Sequence, residues 1–170
     1  MSSIERAYGN MVRQRYGLHD ILDGNGQIPD SRKEHFIYGT DEAGVSLATA
    51  AGSHANLAIQ ISQEADFICT KMVSSSKLGG TGNTWSVEMV TGDTSRQLQN
   101  TPIPTDSFFG TAQLPGIMSM PRIFWRNTTI TFRLTREVAG ITGSDTVWIA
   151  MWGYKVFYDL ANLNLTTRNM

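Results

Sequence analysis

The residue sets most able to do chemistry are few, and none of them completes a site. Lys77-Leu78-Gly79-Gly80-Thr81-Gly82 has the glycine density of a phosphate loop. Such a loop ends in Gly-Lys-Ser/Thr and opens a helix, so that backbone amides and the lysine cradle the anion. Here the lysine comes first and an alternating strand follows, which reads as a flexible hairpin loop. Asp20 and Asp23, followed by Asn25, resemble the start of a calcium loop. The bidentate Glu that must close such a loop at its twelfth position is missing, so the segment reads as a turn. His19, His35 and His54 match no zinc spacing. They read as surface or interface imidazoles, with a pH-sensitive contact as the functional alternative. No Gly-x-Ser-x-Gly elbow occurs, and scattered Asp and Glu residues cannot be paired from sequence. The expectation is a non-enzyme with no catalytic residue, no metal site and no cofactor.

Four tryptophans could line a sugar-binding surface: Trp85, Trp125, Trp148 and Trp152. Trp85 and Trp152 lie in apolar strand runs, where core packing is expected. Trp125, beside Arg126 at the start of a strand, is the candidate for stacking on a ligand. Cys69 is the single cysteine. It sits in the apolar run Phe67-Ile68-Cys69, so an inert buried thiol is expected and no internal disulfide can form.

These residues are positioned by two unlike stretches of chain. Ser2-x-x-Glu5 has the form of a capping box, and Ile4, Tyr8 (or Ala7), Met11 and Leu18 recur near helical spacing. Arg6, Arg13 and Arg15 then read as a solvated face. From Leu18 to Ala55 the periodicity breaks, with turns at Asp23-Gly24-Asn25-Gly26 and Ile28-Pro29-Asp30. Phe36-Ile37-Tyr38 is an apolar island that could form an edge strand. A loop-rich segment of this length points to a partner. Residues 1–55 therefore read as a helix and extended arm, and 56–170 as a β-sandwich.

In the second part Leu57, Ile59 and Ile61 alternate with polar residues, as do Trp85, Val87 and Met89, and Ile130, Phe132 and Leu134. Residues 66–73 and 147–157 are apolar on both faces, which places them centrally or under another chain. Prolines interrupt 98–104 and 115–121, which suits edges or crossings. About seven strands with regular turns give an all-β, antiparallel sandwich or jelly-roll-like domain with an N-terminal helix and arm.

Composition narrows the function classes. The chain has 170 residues, 41% hydrophobic and 17% charged, with net charge −1. That balance gives no basic excess for general nucleic-acid binding, so no specific nucleic-acid partner is expected. No apolar run reaches the roughly 18 residues of a membrane span, and no signal-peptide pattern stands at the N-terminus. No membrane partner is expected, and the chain reads as made and kept in a cytoplasm. The sequons at Asn127 and Asn164 read as chance matches in Thr-rich sequence.

The stretch from Trp85 to Phe157 carries an ordered set of turns and strand ends. Thr91-Gly92 precedes Arg96-x-Leu98-x-Asn100, Pro102-Ile103-Pro104, Phe109-Gly110 and Pro115. Pro121-x-x-Phe124 and Asn127 lead into Ile130-x-Phe132-x-Leu134, and Gly153-Tyr154-Lys155-Val156 comes last. This pattern resembles the small β-sandwich virion proteins of tailed bacteriophages. It covers a little under half the chain. The resemblance implies a structural, homo-oligomeric protein located in the virion and assembled in the host cytoplasm. Its partners would be other virion proteins of the capsid or of the portal and neck. Capsid decoration or cement is the first expectation, and a neck collar or fibre attachment the second. A carbohydrate- or receptor-binding module is the alternative from outside that class. On the first reading Ile4, Tyr8 and Met11 anchor the helix on a neighbour, with Phe36 and Tyr38 as an arm island. Deletion of 1–40 should then leave a folded sandwich that no longer assembles.

Overall fold

A computed structural model describes residues 3–16, 27–40, 44–48, 50–77, 85–92, 96–97, 99–109, 116–137 and 145–157. Helix α1 (Ser3–Tyr16) is followed by a 3-10 turn (Asp30–Arg32) and the strands β1 (Lys33–Gly39), β2 (Val45–Leu47), β3 (His54–Gln60) and β4 (Asp66–Lys77). Then come β5 (Trp85–Thr91), β6 (Arg96–Gln97), β7 (Ile103–Pro104), the short helix α2 (Thr105–Phe109), β8 (Gly116–Phe124), β9 (Thr129–Arg136) and β10 (Asp145–Val156).

The strands form two antiparallel sheets. The first sheet runs β1-β10-β4-β8, with β2 also beside β10, and the second runs β3-β9-β5-β6, with β7 beside β5. With β2 set aside and β6 and β7 taken as one broken strand, the chain order reads 1-8-3-6 and 2-7-4-5. That is the jelly roll, a sandwich wound from two Greek keys. The fold is thus the expected all-β sandwich.

Alternation explains the packing. Leu57 and Ile59 of β3, Val87 and Met89 of β5, and Ile130, Phe132 and Leu134 of β9 point inward from the second sheet. They meet Tyr38, Phe67, Cys69, Phe124, Val147, Ile149 and Met151 of the first. Phe109 of α2 plugs this core and lies 5.8 Å from Phe132, ring centre to ring centre. Strand β10, apolar on both faces, sits between β1 and β4 as that pattern requires.

A second, smaller core covers the back of the first sheet. Ile68 and Val156 point away from the sandwich and are buried by Tyr8 and Val12 of α1 and by Ile28. Glu5 and Asp66 tie this layer down. Asp66 is fully buried; its Oδ2 accepts from the Tyr8 hydroxyl at 2.8 Å and its Oδ1 from the Arg126 amide at 2.8 Å. Glu5 accepts from the Ile28 amide at 3.2 Å and from Lys33 Nζ at 3.4 Å.

Several expectations change. The boundary at residue 55 does not hold, because β1 pairs with β10 from Lys33 to Gly39 and β3 begins at His54. Much of the supposed arm is sandwich, so deleting 1–40 would remove an edge strand and the core residue Tyr38. The reason is that one short apolar run, flanked by polar loops, suffices for an edge strand. Glu5 serves Ile28 and Lys33, while Ser2, its partner in the expected capping box, lies outside the described residues. Phe108 and Phe109 belong to the short helix α2. Pro121 lies within β8, at a sheet edge and a register break between Cys69 and Lys71 of its partner, where a missing N–H costs little. The candidate phosphate loop beyond Lys77, the calcium-like turn, His19, Leu18 and Asn164 lie outside the described residues.

Two backbone positions explain local sequence. Asn127, in the turn before β9, has φ of 58°, a left-handed conformation that Asn tolerates better than most residues. At Gly153 a Cβ would lie 2.0 Å from the Ile68 carbonyl oxygen, beside the β10–β4 register shift. Only glycine allows that approach.

Candidate functional site

The two outer faces of the sandwich differ in kind. On the second sheet, β3 and β9 set His54 against Thr135, Asn56 against Arg133, Ala58 against Thr131 and Gln60 against Thr129. His54 Nδ1 bonds Thr135 Oγ1 at 2.9 Å, Arg133 reaches Glu88 at 3.4 Å, and Thr129 donates to Gln60. This polar ladder satisfies itself in water, and ion pairs so exposed add little stability.

The outer face of the first sheet mixes polar side chains with uncovered apolar ones. Its end is closed by α1, but the middle is open. There Ile37 of β1 is 48% exposed and lies directly opposite Trp152 of β10, which is 38% exposed. Lys71 of β4 pairs with Trp152 in turn, and its Nζ stands 4.3 Å from the indole ring centre. The row Ile37–Trp152–Lys71 floors a cleft of about 710 Å³ bounded by His35, Thr70 and Tyr154. Met11, 37% exposed, is a third exposed apolar side chain, on α1 and outside the lining of this cleft.

A smaller cleft of about 340 Å³ lies beside it, lined by Glu5, Asp30, Lys33, His35 and Tyr154. Its charges are already spent on one another. Lys33 reaches Asp30 at 2.9 Å and Glu5 at 3.4 Å. The Asp30 hydrogen bond is the main reason the Lys33 ammonium is held above its ordinary value. Burial, with Glu5 nearby, pushes the Tyr154 hydroxyl up as well. Among the described residues no group of three His, Cys, Asp or Glu is arranged to hold a metal ion. No helix among them is long and apolar enough to cross a membrane.

The residues singled out from sequence divide. Tyr8 and Tyr38 are buried in this chain, so neither side chain is free to grip a neighbour. Ile4 packs on the small core, while Phe36 packs on the main one under Lys155 Nζ, 3.7 Å from its ring centre. Met11 remains at the surface; the helix stripe runs Ile4, Tyr8, Val12, and Val12 is the residue the spacing argument passed over.

The tryptophans exchange roles. Trp85 is buried as expected. Trp125 is half-buried, with Tyr8 stacked on it at 6.1 Å and 26° between planes, so it is no open platform. Trp152, expected in the core, is the exposed one. Strand parity decides this: with Val147, Ile149 and Met151 inside, Trp152 must face out. The signal was available in the sequence as the alternation of 147–152, masked because both faces are apolar.

No protein-family model and no curated protein matches the sequence. A solved structure of infectious bursal disease virus, Gt strain, aligns over 76% of this chain at 12% identity with a TM-score of 0.22. This chain spans only 32% of that one. So low a likeness carries neither fold nor role, and the fold rests on the strand order above.

Proposed function

We propose that this chain is a non-enzymatic structural subunit of a virus particle, of the tailed-phage kind that its turn pattern resembles. Within that class its small size and near-neutral charge suit a capsid decoration or cement protein better than a neck collar or fibre attachment. Its partners are further copies of itself and other virion proteins, and its place is the virion, assembled in the host cytoplasm. The observation that carries the reading is the sidedness of the jelly roll. One outer face is a self-satisfied polar ladder, and the other leaves Ile37 and Trp152 uncovered. A sided sandwich suits a shell, where one face meets partners and the other meets water. The fold itself supports the role by analogy alone. The helix, docked in cis, is not the bridge between subunits; the open face is the better surface for that task. Sedimentation velocity and negative-stain microscopy of the purified full chain test this. Regular assemblies are expected at high concentration, and a chain that stays monomeric throughout overturns the reading.

A second reading has one observation behind it. Trp152 and Tyr154 share a cleft with His35 and Thr70, an aromatic ledge with polar neighbours that a sugar could use. A glycan array that gives no hits for the wild-type chain removes it.

A further inference from the structure

We propose that two copies of this chain join edge to edge through β1, antiparallel about a two-fold axis at Ile37. The inference deepens the self-assembling reading above by naming the joint.

The backbone defines the free edge. In the β1–β10 register Tyr38 faces Met151, and the flanking bonds run from Thr40 N to Ile149 O at 3.0 Å and from Phe157 N to Arg32 O at 3.0 Å. Even-numbered residues therefore bond β10. Lys33, His35, Ile37 and Gly39 aim their N–H and C=O groups the other way. Among the described residues no strand pairs with that side of β1. The edge lacks the usual guards. Its register with β10 is unbroken over the whole strand, it contains no proline, and its only charges are Lys33 and Glu34 at one end. An unguarded edge with an exposed apolar residue is a template for another strand.

Side chains choose the register. A two-fold at His35 would set imidazole against imidazole and Ile37 against a lysine. A two-fold at Phe36 would set Ile37 against His35. A two-fold at Ile37 sets isoleucine on isoleucine, and each is flanked by its own Trp152. The outer face then carries a continuous row: Trp152, Ile37, Ile37 of the second copy, Trp152 of the second copy. The Lys71 residues close the row at its ends, five strand spacings or about 24 Å apart, far enough to be screened.

Area explains why the edge is needed. Ile37, Trp152 and Met11, each between 37% and 48% exposed, fall well short of the roughly 800 Å² per partner of a standard interface. The apolar row alone cannot hold two copies. Three hydrogen-bonded residue pairs across the joint (Ile37 with Ile37, and His35 with Gly39 twice) add about two main-chain bonds each.

Cysteine substitution reads the joint directly, because the native Cys69 is buried. Partners in a hydrogen-bonded pair have Cα atoms about 5.5 Å apart, within disulfide range. In the proposed register two His35 positions lie about 14 Å apart, out of reach. Under mild oxidation Ile37→Cys should give a covalent dimer and His35→Cys should not. A dimer from His35→Cys instead, or from neither, overturns the joint. As a second variant, Ile37→Lys alters only an exposed side chain and should keep the wild-type circular dichroism while association weakens at least tenfold. If assembly persists unchanged in Ile37→Lys, the joint is wrong while the structural-subunit reading stands. If the wild-type chain never associates, both fail.

Discussion

Replacing Tyr8 by phenylalanine asks whether α1 belongs to this chain's own fold. The Tyr8 ring is fully buried and stacks on Trp125, while its hydroxyl donates to Asp66 at 2.8 Å. Asp66 is itself fully buried, so a lost donor is not replaced by bulk water. Phenylalanine keeps the ring and removes that one bond to a buried acidic side chain, a loss of about 1.5–3 kcal/mol. With a urea slope of about 2 kcal/mol/M, the unfolding midpoint should fall by about 1 M. Alanine also removes the ring and leaves a cavity, for a total of about 3–5 kcal/mol or more. Urea unfolding of both variants, followed by circular dichroism and tryptophan fluorescence at concentrations where the chain is monomeric, supplies the numbers. Two results would refute the reasoning. One is a Tyr8→Phe midpoint within about 0.2 M of wild type, less than about 0.5 kcal/mol on the same slope. The other is a loss that appears only in associated protein, which would mean that Tyr8 serves a neighbour after all.

Gly153→Ala should destabilise by at least the ~1–3 kcal/mol typical of overpacking, because the new Cβ would sit 2.0 Å from the Ile68 carbonyl oxygen; an unchanged melting temperature would contradict the close approach. Lys155 bonds Glu64 at 2.5 Å and holds its carboxyl below the ordinary value of 4.5. A carboxylate depressed in the folded state stabilises fully above its unfolded pKa and loses that stabilisation as pH falls through the folded value. Glu64→Gln should therefore flatten part of the stability decline below about pH 4.5, and equal slopes in the two proteins would show that the pair contributes nothing. Burial pushes the Cys69 thiol up to about 12, so a thiol reagent should label it only after urea unfolding. Stoichiometric labelling within minutes in native buffer would place Cys69 outside the core.

Strand content was legible where one face is polar. Ile130, Phe132 and Leu134 announced β9, and Leu57 and Ile59 announced β3, because period-two alternation has no helical reading. Where both faces are apolar the pattern loses its phase, and Trp152 was assigned to the wrong side for that reason. Trp125 failed differently. Arg126 and Asn127, which follow it, suggest an exposed position, but the residue that covers it, Tyr8, is far away along the chain. The same distance hid the small core, since nothing local in Asp66 or Glu5 reveals that one receives Tyr8 and the other Ile28 and Lys33. The segment from Lys33 to Gly39 looks like an arm in sequence because β1 is short and flanked by loops, and only its full register with β10 shows that it is sandwich.

The first sheet explains both the helix and the open cleft. Strands β4 and β10 carry apolar residues on both faces, and such strands need a cover on each side. The sandwich supplies one cover. On the outer side Ile68 and Val156 receive α1, held in place by two acidic side chains that also tie down Ile28, Lys33 and the turn before β9. The helix is one short element, and it leaves Ile37 and Trp152 open. The second sheet had no such demand, because its outward positions are mostly threonine, asparagine, glutamine and paired charges. Among the described residues of the two sheets, hydrophobicity is therefore left uncovered on one side, next to an edge strand whose odd-numbered amides and carbonyls meet no other strand. A random surface would scatter its exposed apolar residues. Here two of the three among the described residues share one row at one edge, the arrangement that an edge-to-edge partner would bury.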